Sequence, residues 1–99
     1  MKKLLLLFSL IFLSFNIQAE PIKLILHHFY APSEPSHTDV LIPWAKRVNE
    51  LTDGEVEIRI VGGMALGGKP KDLTTQARTG RVDLIWTVNG YSGKEFIRS

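Results

Sequence analysis

The fold is decided by the stretch VEIRIVGGMALGGKPKDLTTQARTGRVDLIWTVNGY, residues 56–91, which predicts a strand, a glycine-rich loop, a helix and a second strand. Its first six residues alternate apolar and charged side chains, as in a strand that is covered on one face. A helix is predicted over 71–79, with Pro70 in its first turn and Gly80 as its left-handed stop. Residues 82–87 are nearly all apolar, which favours a central strand covered on both faces.

A second β-α unit precedes this stretch. Residues 22–28 form an apolar run of strand length, and two prolines exclude a helix from the loop 31–36. Apolar side chains then recur at helical spacing up to the turn 52–54, so that Trp44 is expected in the core. Pro43 should either kink this helix or mark its true first turn.

The order of these elements predicts an α/β fold with a parallel sheet. Right-handed crossovers place the strands of a β-α-β-α-β chain parallel to one another. The strand 56–61 alternates most clearly and is therefore placed at an edge, which gives the spatial order 2-1-3. The connections leave strands 1 and 3 in opposite directions, and ligands of open α/β sheets lie at this switch point, beyond the carboxyl ends of the strands.

Residues 1–19 predict a cleaved secretory signal peptide. A positive start with Lys2 and Lys3 precedes an apolar run over 4–15, and Ala19 supplies the small residue at the cleavage position. This apolar run is shorter than the ~20 residues that span a bilayer. Residues 20–99 are then a single small exported domain at most. The alternative is an uncleaved anchor that tethers a small interaction domain to the membrane.

The charge balance and the lack of cysteine exclude several kinds of partner. The chain has 12 Lys plus Arg and 10 Asp plus Glu, and removal of Lys2 and Lys3 leaves 10 of each sign. A balanced surface offers no basic stripe to nucleic acid or to an anionic membrane. Without cysteine there are no disulfides, which is unusual for a short exported domain. One explanation is that the chain is a piece of a larger protein.

The sequence predicts neither an enzyme nor a cofactor or metal site. Residues 63–69 have the spacing of a phosphate-binding P-loop, but Pro70 stands where Ser or Thr would hold magnesium, so no nucleotide is expected. The adjacent His27 and His28 point to opposite faces of a strand and cannot serve one metal together. No Ser nucleophile has an identifiable base nearby.

Four segments in order resemble the TRAP-transporter solute-binding proteins, the DctP family. They are 27–29 (HHF), 43–48 (PWAKRV), 64–70 (MALGGKP) and 80–91 (GRVDLIWTVNGY). Each segment alone is weak, but the ordered series is specific and covers essentially all of the mature chain. Two departures are Asn89, where many relatives carry proline, and the length. Family members are several times longer and have two α/β lobes, so the chain resembles an incomplete first lobe.

The resemblance implies a periplasmic receptor that captures a small organic acid anion, such as a dicarboxylate, and delivers it to membrane-embedded transporter subunits. In the family an arginine of the second lobe pairs with the ligand carboxylate, which suits a planar guanidinium. No residue of this chain can take that role. The alternative is a truncated gene product without binding activity of its own.

Six residues at the carboxyl ends of the strands are predicted to form the supporting wall of the ligand site: His28, Phe29, Lys69, Trp86, Asn89 and Tyr91. Each has an alternative structural role. One of the two adjacent histidines should be packed or hydrogen-bonded, and Trp86 could equally lie in the core. Lys69 could simply be solvated. His37, near the start of the first helix, is expected to be solvated.

Overall fold

The computed structural model describes residues 20–91, which form a three-stranded parallel sheet with helices on both faces. The strands are β1 (Ile22–His28), β2 (Val56–Val61) and β3 (Leu84–Trp86). The spatial order is β2-β1-β3, so the predicted parallel 2-1-3 sheet is confirmed. The strand order also confirms the placement of β2 at an edge, and its side chains alternate between exposed and half-buried positions as the sequence predicted.

The register fixes which side chains share a face of the sheet. β1 pairs with β2 from Ile22 opposite Val56 to His27 opposite Val61. On its other side, Leu26 lies opposite Leu84 and His28 opposite Trp86. Paired residues of neighbouring strands point to the same face. The carboxyl end of β1 is also its buried end, since Leu26, His27 and His28 are all buried there.

The first helical region begins with a π-helical turn, Ser36–Leu41, and continues as α1, Ile42–Leu51. Pro43 lies in the first turn of α1, where the π-helical turn gives way to α-helix, so the second of the two predicted roles is confirmed for α1. α1 ends where Asp53 and Gly54 adopt positive φ angles of 52° and 79°. The Asn49 side chain then donates to the Val56 carbonyl at 3.0 Å, which joins the end of the helix to the start of β2.

The α-helical part of the second helical region is shorter than the predicted helix over 71–79. A 3₁₀ turn, Pro70–Asp72, leads into α2, Leu73–Arg78. The Asp72 carboxylate accepts a hydrogen bond from the Lys69 amide at 2.8 Å and so caps the first turn. Gly80 has a φ of 80° and ends the helix as predicted.

The predicted length of β3 was wrong. β3 spans three residues instead of six, and within residues 20–91 it forms an edge of the sheet, as the predicted order 2-1-3 requires. Asp83 is the reason for the late start, because its carboxylate accepts the Ile25 amide at 2.8 Å while its own amide donates to the Ile25 carbonyl at 3.0 Å. The side chain thus occupies an amide that a longer strand would have paired through its backbone.

The core of the described residues is small and lies between β1 and the two helical regions. Leu26, Leu41, Leu73 and Val82 are among its buried apolar side chains. Trp44, which the helical spacing placed in the core, is instead 42% exposed. Trp44 lies at an open groove between α1 and β3, so within residues 20–91 its ring is only partly covered.

The predicted signal peptide, residues 1–19, lies outside the described residues. Within residues 20–91, no helix is both long enough and apolar enough to cross a membrane.

Candidate functional site

Aromatic side chains converge at the carboxyl ends of β1 and β3, where the switch-point rule places the ligand site. Phe29 follows β1 directly, and its ring packs on the Tyr30 ring at a centroid distance of 4.4 Å. Tyr91, in the 3₁₀ turn after β3, meets Phe29 edge to face at 5.3 Å and an interplanar angle of 85°. This is a favourable geometry for aromatic rings. The structure therefore brings Phe29 and Tyr91 together, and Tyr30 joins them although the sequence reasoning did not select it.

His28 lies beneath this cluster instead of on its surface. The residue has 0% exposure, and both ring nitrogens are in use. Nδ1 accepts the Tyr30 amide at 3.0 Å, and Nε2 lies 2.8 Å from His37 Nδ1. A direct contact between the His28 ring and a ligand would displace these partners. The prediction that His37 is solvated was wrong, since its ring is held against His28.

His27 points to the opposite face and fastens the glycine-rich loop. Its Nε2 accepts the Leu66 amide at 3.2 Å, so the neutral ring carries its proton on Nδ1 and donates it to Gln76 Oε1 at 2.7 Å. The Gln76 amide in turn donates to the Gly67 carbonyl at 2.9 Å. One buried network thereby joins β1, the loop and α2.

The glycine-rich loop passes close to β1 because Gly62 has no side chain. A Cβ atom at Gly62 would lie 2.9 Å from His28 Cε1 and 2.9 Å from the Tyr30 carbonyl oxygen. The following residues are held by the Tyr30 carbonyl, which accepts the Gly63 amide at 2.7 Å, and by the His28 carbonyl, which accepts the Met64 amide at 3.0 Å. Met64 adopts a positive φ of 53°, which is uncommon for a residue with a long side chain. The loop is therefore tied to residues 28–30.

Trp86 lines an apolar groove rather than the aromatic cluster. The groove has a volume of about 290 Å³ and lies between α1 and β3. Trp44 and Val40 form its helical side, and Trp86 is 41% exposed on the strand side. Trp86 and His28 occupy paired positions of neighbouring strands, so both face the α1 side of the sheet.

The two remaining predicted residues, Lys69 and Asn89, are exposed at the same end of the sheet. Lys69 takes part in the cap of the second helical region through its backbone amide. Asn89 begins the 3₁₀ turn over 89–91 that presents Tyr91. The six predicted residues therefore lie in three places: an aromatic cluster with His28 beneath it, the groove with Trp86, and the exposed loop positions.

The chemistry available at this end of the sheet is that of a binding surface. Aromatic faces and edges can enclose a flat apolar group and orient it. Among residues 20–91, no group of three or more His, Cys, Asp or Glu side chains is placed to hold a metal ion.

Comparison with solved structures shows similarity to TRAP solute-binding proteins. One similar structure is a TRAP solute-binding protein from a marine metagenome, specific for aromatic acid ligands and solved with 3-hydroxybenzoate. It is 36% identical with a TM-score of 0.75, over 79% of this chain and 24% of that protein. A TRAP solute-binding protein from Rhodoferax ferrireducens, solved with copurified benzoate, is 33% identical with a TM-score of 0.72, over 76% of this chain and 23% of that protein.

A more distant similarity is to a periplasmic TRAP solute-binding protein from Sulfurospirillum deleyianum with bound succinate. It is 25% identical with a TM-score of 0.56, over 65% of this chain and 20% of that protein. No protein-family model and no curated protein matches the sequence.

The chain thus spans about a quarter of the length of the first two of these structures, 24% and 23%. The structural similarity agrees with the ordered sequence motifs and with the parallel 2-1-3 sheet. Assignment to the DctP branch stays a prediction. At the level of the broader family, the chain matches part of the TRAP solute-binding proteins in both sequence and fold.

Proposed function

We propose that this chain belongs to an extracytoplasmic receptor that captures a small organic acid anion for uptake through membrane-embedded TRAP subunits. The receptor binds the solute and is not an enzyme. The similar structures support this role, because each of them holds an organic acid or is described as specific for one. The predicted signal peptide supports export to the periplasm.

Within this function, we propose an aromatic monocarboxylate as the solute. The observation that carries the proposal is the edge-to-face contact between Phe29 and Tyr91 at the carboxyl ends of β1 and β3, with Tyr30 packed on Phe29. An aromatic ring of a ligand gains from such a surface through the same offset and edge-to-face contacts. The two more similar structures were solved with hydroxybenzoate and benzoate. Succinate, bound by the 25% identical relative, represents the dicarboxylate alternative.

Phe29 and Tyr91 are then the wall that faces the solute ring, while His28 supports them from below. Trp86, Asn89 and Lys69 remain proposed contacts at the rim. The residue that neutralises the carboxylate is expected outside residues 20–91. A bound carboxylate that has lost its water needs such a partner.

Calorimetric titration of the complete gene product tests the solute class. The ligands are benzoate, 3-hydroxybenzoate, succinate and cyclohexanecarboxylate, the last being a ring of similar size without aromatic character. Benzoate should bind roughly tenfold more tightly than cyclohexanecarboxylate if one or two aromatic contacts of about 0.5–1.5 kcal/mol each are made. If succinate bound more tightly than both benzoate and 3-hydroxybenzoate, the aromatic assignment would be overturned and the receptor function would stay in place.

A further inference from the structure

A pair of imidazoles lies beneath the aromatic cluster and joins two separate segments of the chain. His28 ends β1, and His37 lies in the π-helical turn before α1. His28 Nε2 and His37 Nδ1 are 2.8 Å apart, and the ring centroids are 5.1 Å apart. His28 is completely buried.

The hydrogen bonds determine where the protons are. His28 Nδ1 accepts the Tyr30 amide, so it carries no proton itself. The neutral ring is therefore protonated at Nε2 and donates to His37 Nδ1, which acts as the acceptor. A proton added to His28 Nδ1 would oppose the Tyr30 N–H, and a proton added to His37 Nδ1 would oppose the His28 N–H. Both bonds exist only while both rings are neutral.

The pair is connected to the proposed ligand wall through residues 28–30. The Tyr30 amide is held by the His28 ring, and the Tyr30 carbonyl is held by the Gly63 amide at 2.7 Å. Phe29 lies between these two fixed residues, and its ring meets Tyr91. The close approach of Gly62 to the His28 ring leaves no space for that ring to move toward the loop.

We propose that His37, acting through His28, is a positioning residue for the Phe29–Tyr91 wall, and that it holds this wall in place only at a pH where both imidazoles are neutral. The inference rests on the proposed function and adds a pH dependence to solute binding. Because neither imidazole needs to touch the solute, the effect is distinct from that of a residue in the wall.

Few other titratable groups act on the pair. The pKa of His28 is lowered by its burial and, to a smaller extent, by the neighbouring His37 and His27. Tyr30 lies at a ring distance of 6.3 Å, Glu34 and Asp39 belong to the segment that carries His37, and the glycine-rich loop packed on the other side bears no charged side chain over 62–68. Within residues 20–91, neither imidazole is hydrogen-bonded to a carboxylate that could stabilise its charged form.

The direction of the pH effect follows from the lowered pKa. A folded pKa below the ordinary value of 6.5 means that the unfolded or released state binds the proton first. The contribution of the pair is complete above that value and is lost as the pH falls below it. Solute affinity should fall in the same range.

The test compares the complete gene product with three variants, using benzoate as the probe at about pH 7.5 and about pH 5.5, the range in which histidine titrates. The wild type should bind roughly five- to tenfold more weakly at the lower pH, a typical coupling between two sites. His37→Ala removes the acceptor and should show a similar loss already at the higher pH. His37→Gln offers an acceptor oxygen that does not titrate, so it should keep the affinity at the higher pH and lose less of it at the lower one.

Asp39→Asn is the matched control, because it removes a titratable group from the same turn without touching either ring. It should show the wild-type pH profile. A wild-type affinity that does not change between the two pH values would overturn the proposal. So would a His37→Ala variant with wild-type affinity at both.

Imidazole nitrogen NMR separates this proposal from the receptor function. His28 should show the neutral Nε2–H tautomer at the higher pH, and a nuclear Overhauser contact between the Phe29 and Tyr91 rings should weaken at the lower pH and in His37→Ala. If no carboxylate binds the wild type at either pH, the proposed function fails and these spectra alone decide the positioning role. A charged His28 or an Nδ1–H tautomer at the higher pH would contradict it, and so would a ring contact that does not respond to pH.

Discussion

At the scale of single residues, Gly62 shows how a position with no side chain determines the geometry of the site. The glycine-rich sequence predicted a loop at this point, but not which glycine is required for packing. That requirement arises from the His28 ring and the Tyr30 carbonyl, which approach Gly62 from a distant part of the chain. Composition and spacing contain no information on such a contact.

Gly62→Ala should therefore destabilise the fold by roughly 1–3 kcal/mol, the usual cost of an added group in a packed site. The added Cβ would lie 2.9 Å from backbone and ring atoms that are themselves hydrogen-bonded. Gly90→Ala is the control, since nothing lies within 4 Å of its Cβ position and its φ is not positive. Urea unfolding of both variants measures the difference, and equal midpoints would show that the loop adjusts freely.

The two tryptophans are also distinguished at this scale. In the complete gene product, Trp86→Ala should weaken solute binding more than Trp44→Ala at equal folded fraction, because Trp86 ends the strand nearest the switch point. Trp44 is 42% exposed, so its truncation should cost less than the 3–5 kcal/mol or so of a fully buried aromatic side chain. Calorimetric titration of both variants decides the matter. Wild-type affinity in Trp86→Ala would place this residue outside the ligand site.

At the scale of elements, the sequence was sufficient wherever a local pattern decides the structure. Alternation in 56–61 predicted an edge strand, and the β-α-β-α-β order predicted the 2-1-3 sheet, both of which are confirmed. The predicted length of β3 was wrong because the Asp83 carboxylate replaces a backbone partner, which periodicity does not reveal. The partners of His27 and His28 depend on contacts with residues up to 49 positions away. For these two histidines, the sequence allowed only the prediction that adjacent strand residues point to opposite faces of the sheet.

The network around Gln76 makes a prediction at this scale, because it joins three elements. Gln76→Leu should leave the His27 Nδ1–H and the Gly67 carbonyl without their partners, at a cost of about 1–3 kcal/mol for an unsatisfied buried group. Hydrogen exchange of the Leu66 amide, which donates to the same imidazole, should accelerate. Lys71→Ala, on an exposed position before α2, should change neither quantity. Unchanged exchange at Leu66 in Gln76→Leu would show that the loop is held by other contacts.

At the scale of the whole molecule, the described residues expose more large apolar side chains than they bury. Six hydrophobic residues form the buried core, whereas eight large ones, including Trp44, Trp86 and Tyr91, are more than 40% exposed. The groove between α1 and β3 is open, and within residues 20–91 β3 is paired on one side only. The similar structures are about four times as long as the matched region, and this chain covers 24% of the first of them. In longer α/β proteins, apolar surface of this kind is covered by other parts of the chain.

Residues 20–99 expressed alone should therefore be marginally folded and should bind no carboxylate with micromolar affinity. A domain of this size buries only about 60% of the surface of its unfolded chain, and no disulfide compensates. The edge of β3 that is unpaired within residues 20–91 favours association, so concentration-dependent aggregation is expected as well. The expected solute complex also lacks a partner for the carboxylate, whose desolvation would remain uncompensated. The dispersion of the NMR amide spectrum, sedimentation at several concentrations and titration with the four carboxylates measure these properties. A well-dispersed monomer that binds benzoate in the micromolar range would show that residues 20–99 are an autonomous binding domain, and that the open groove needs no further chain to cover it.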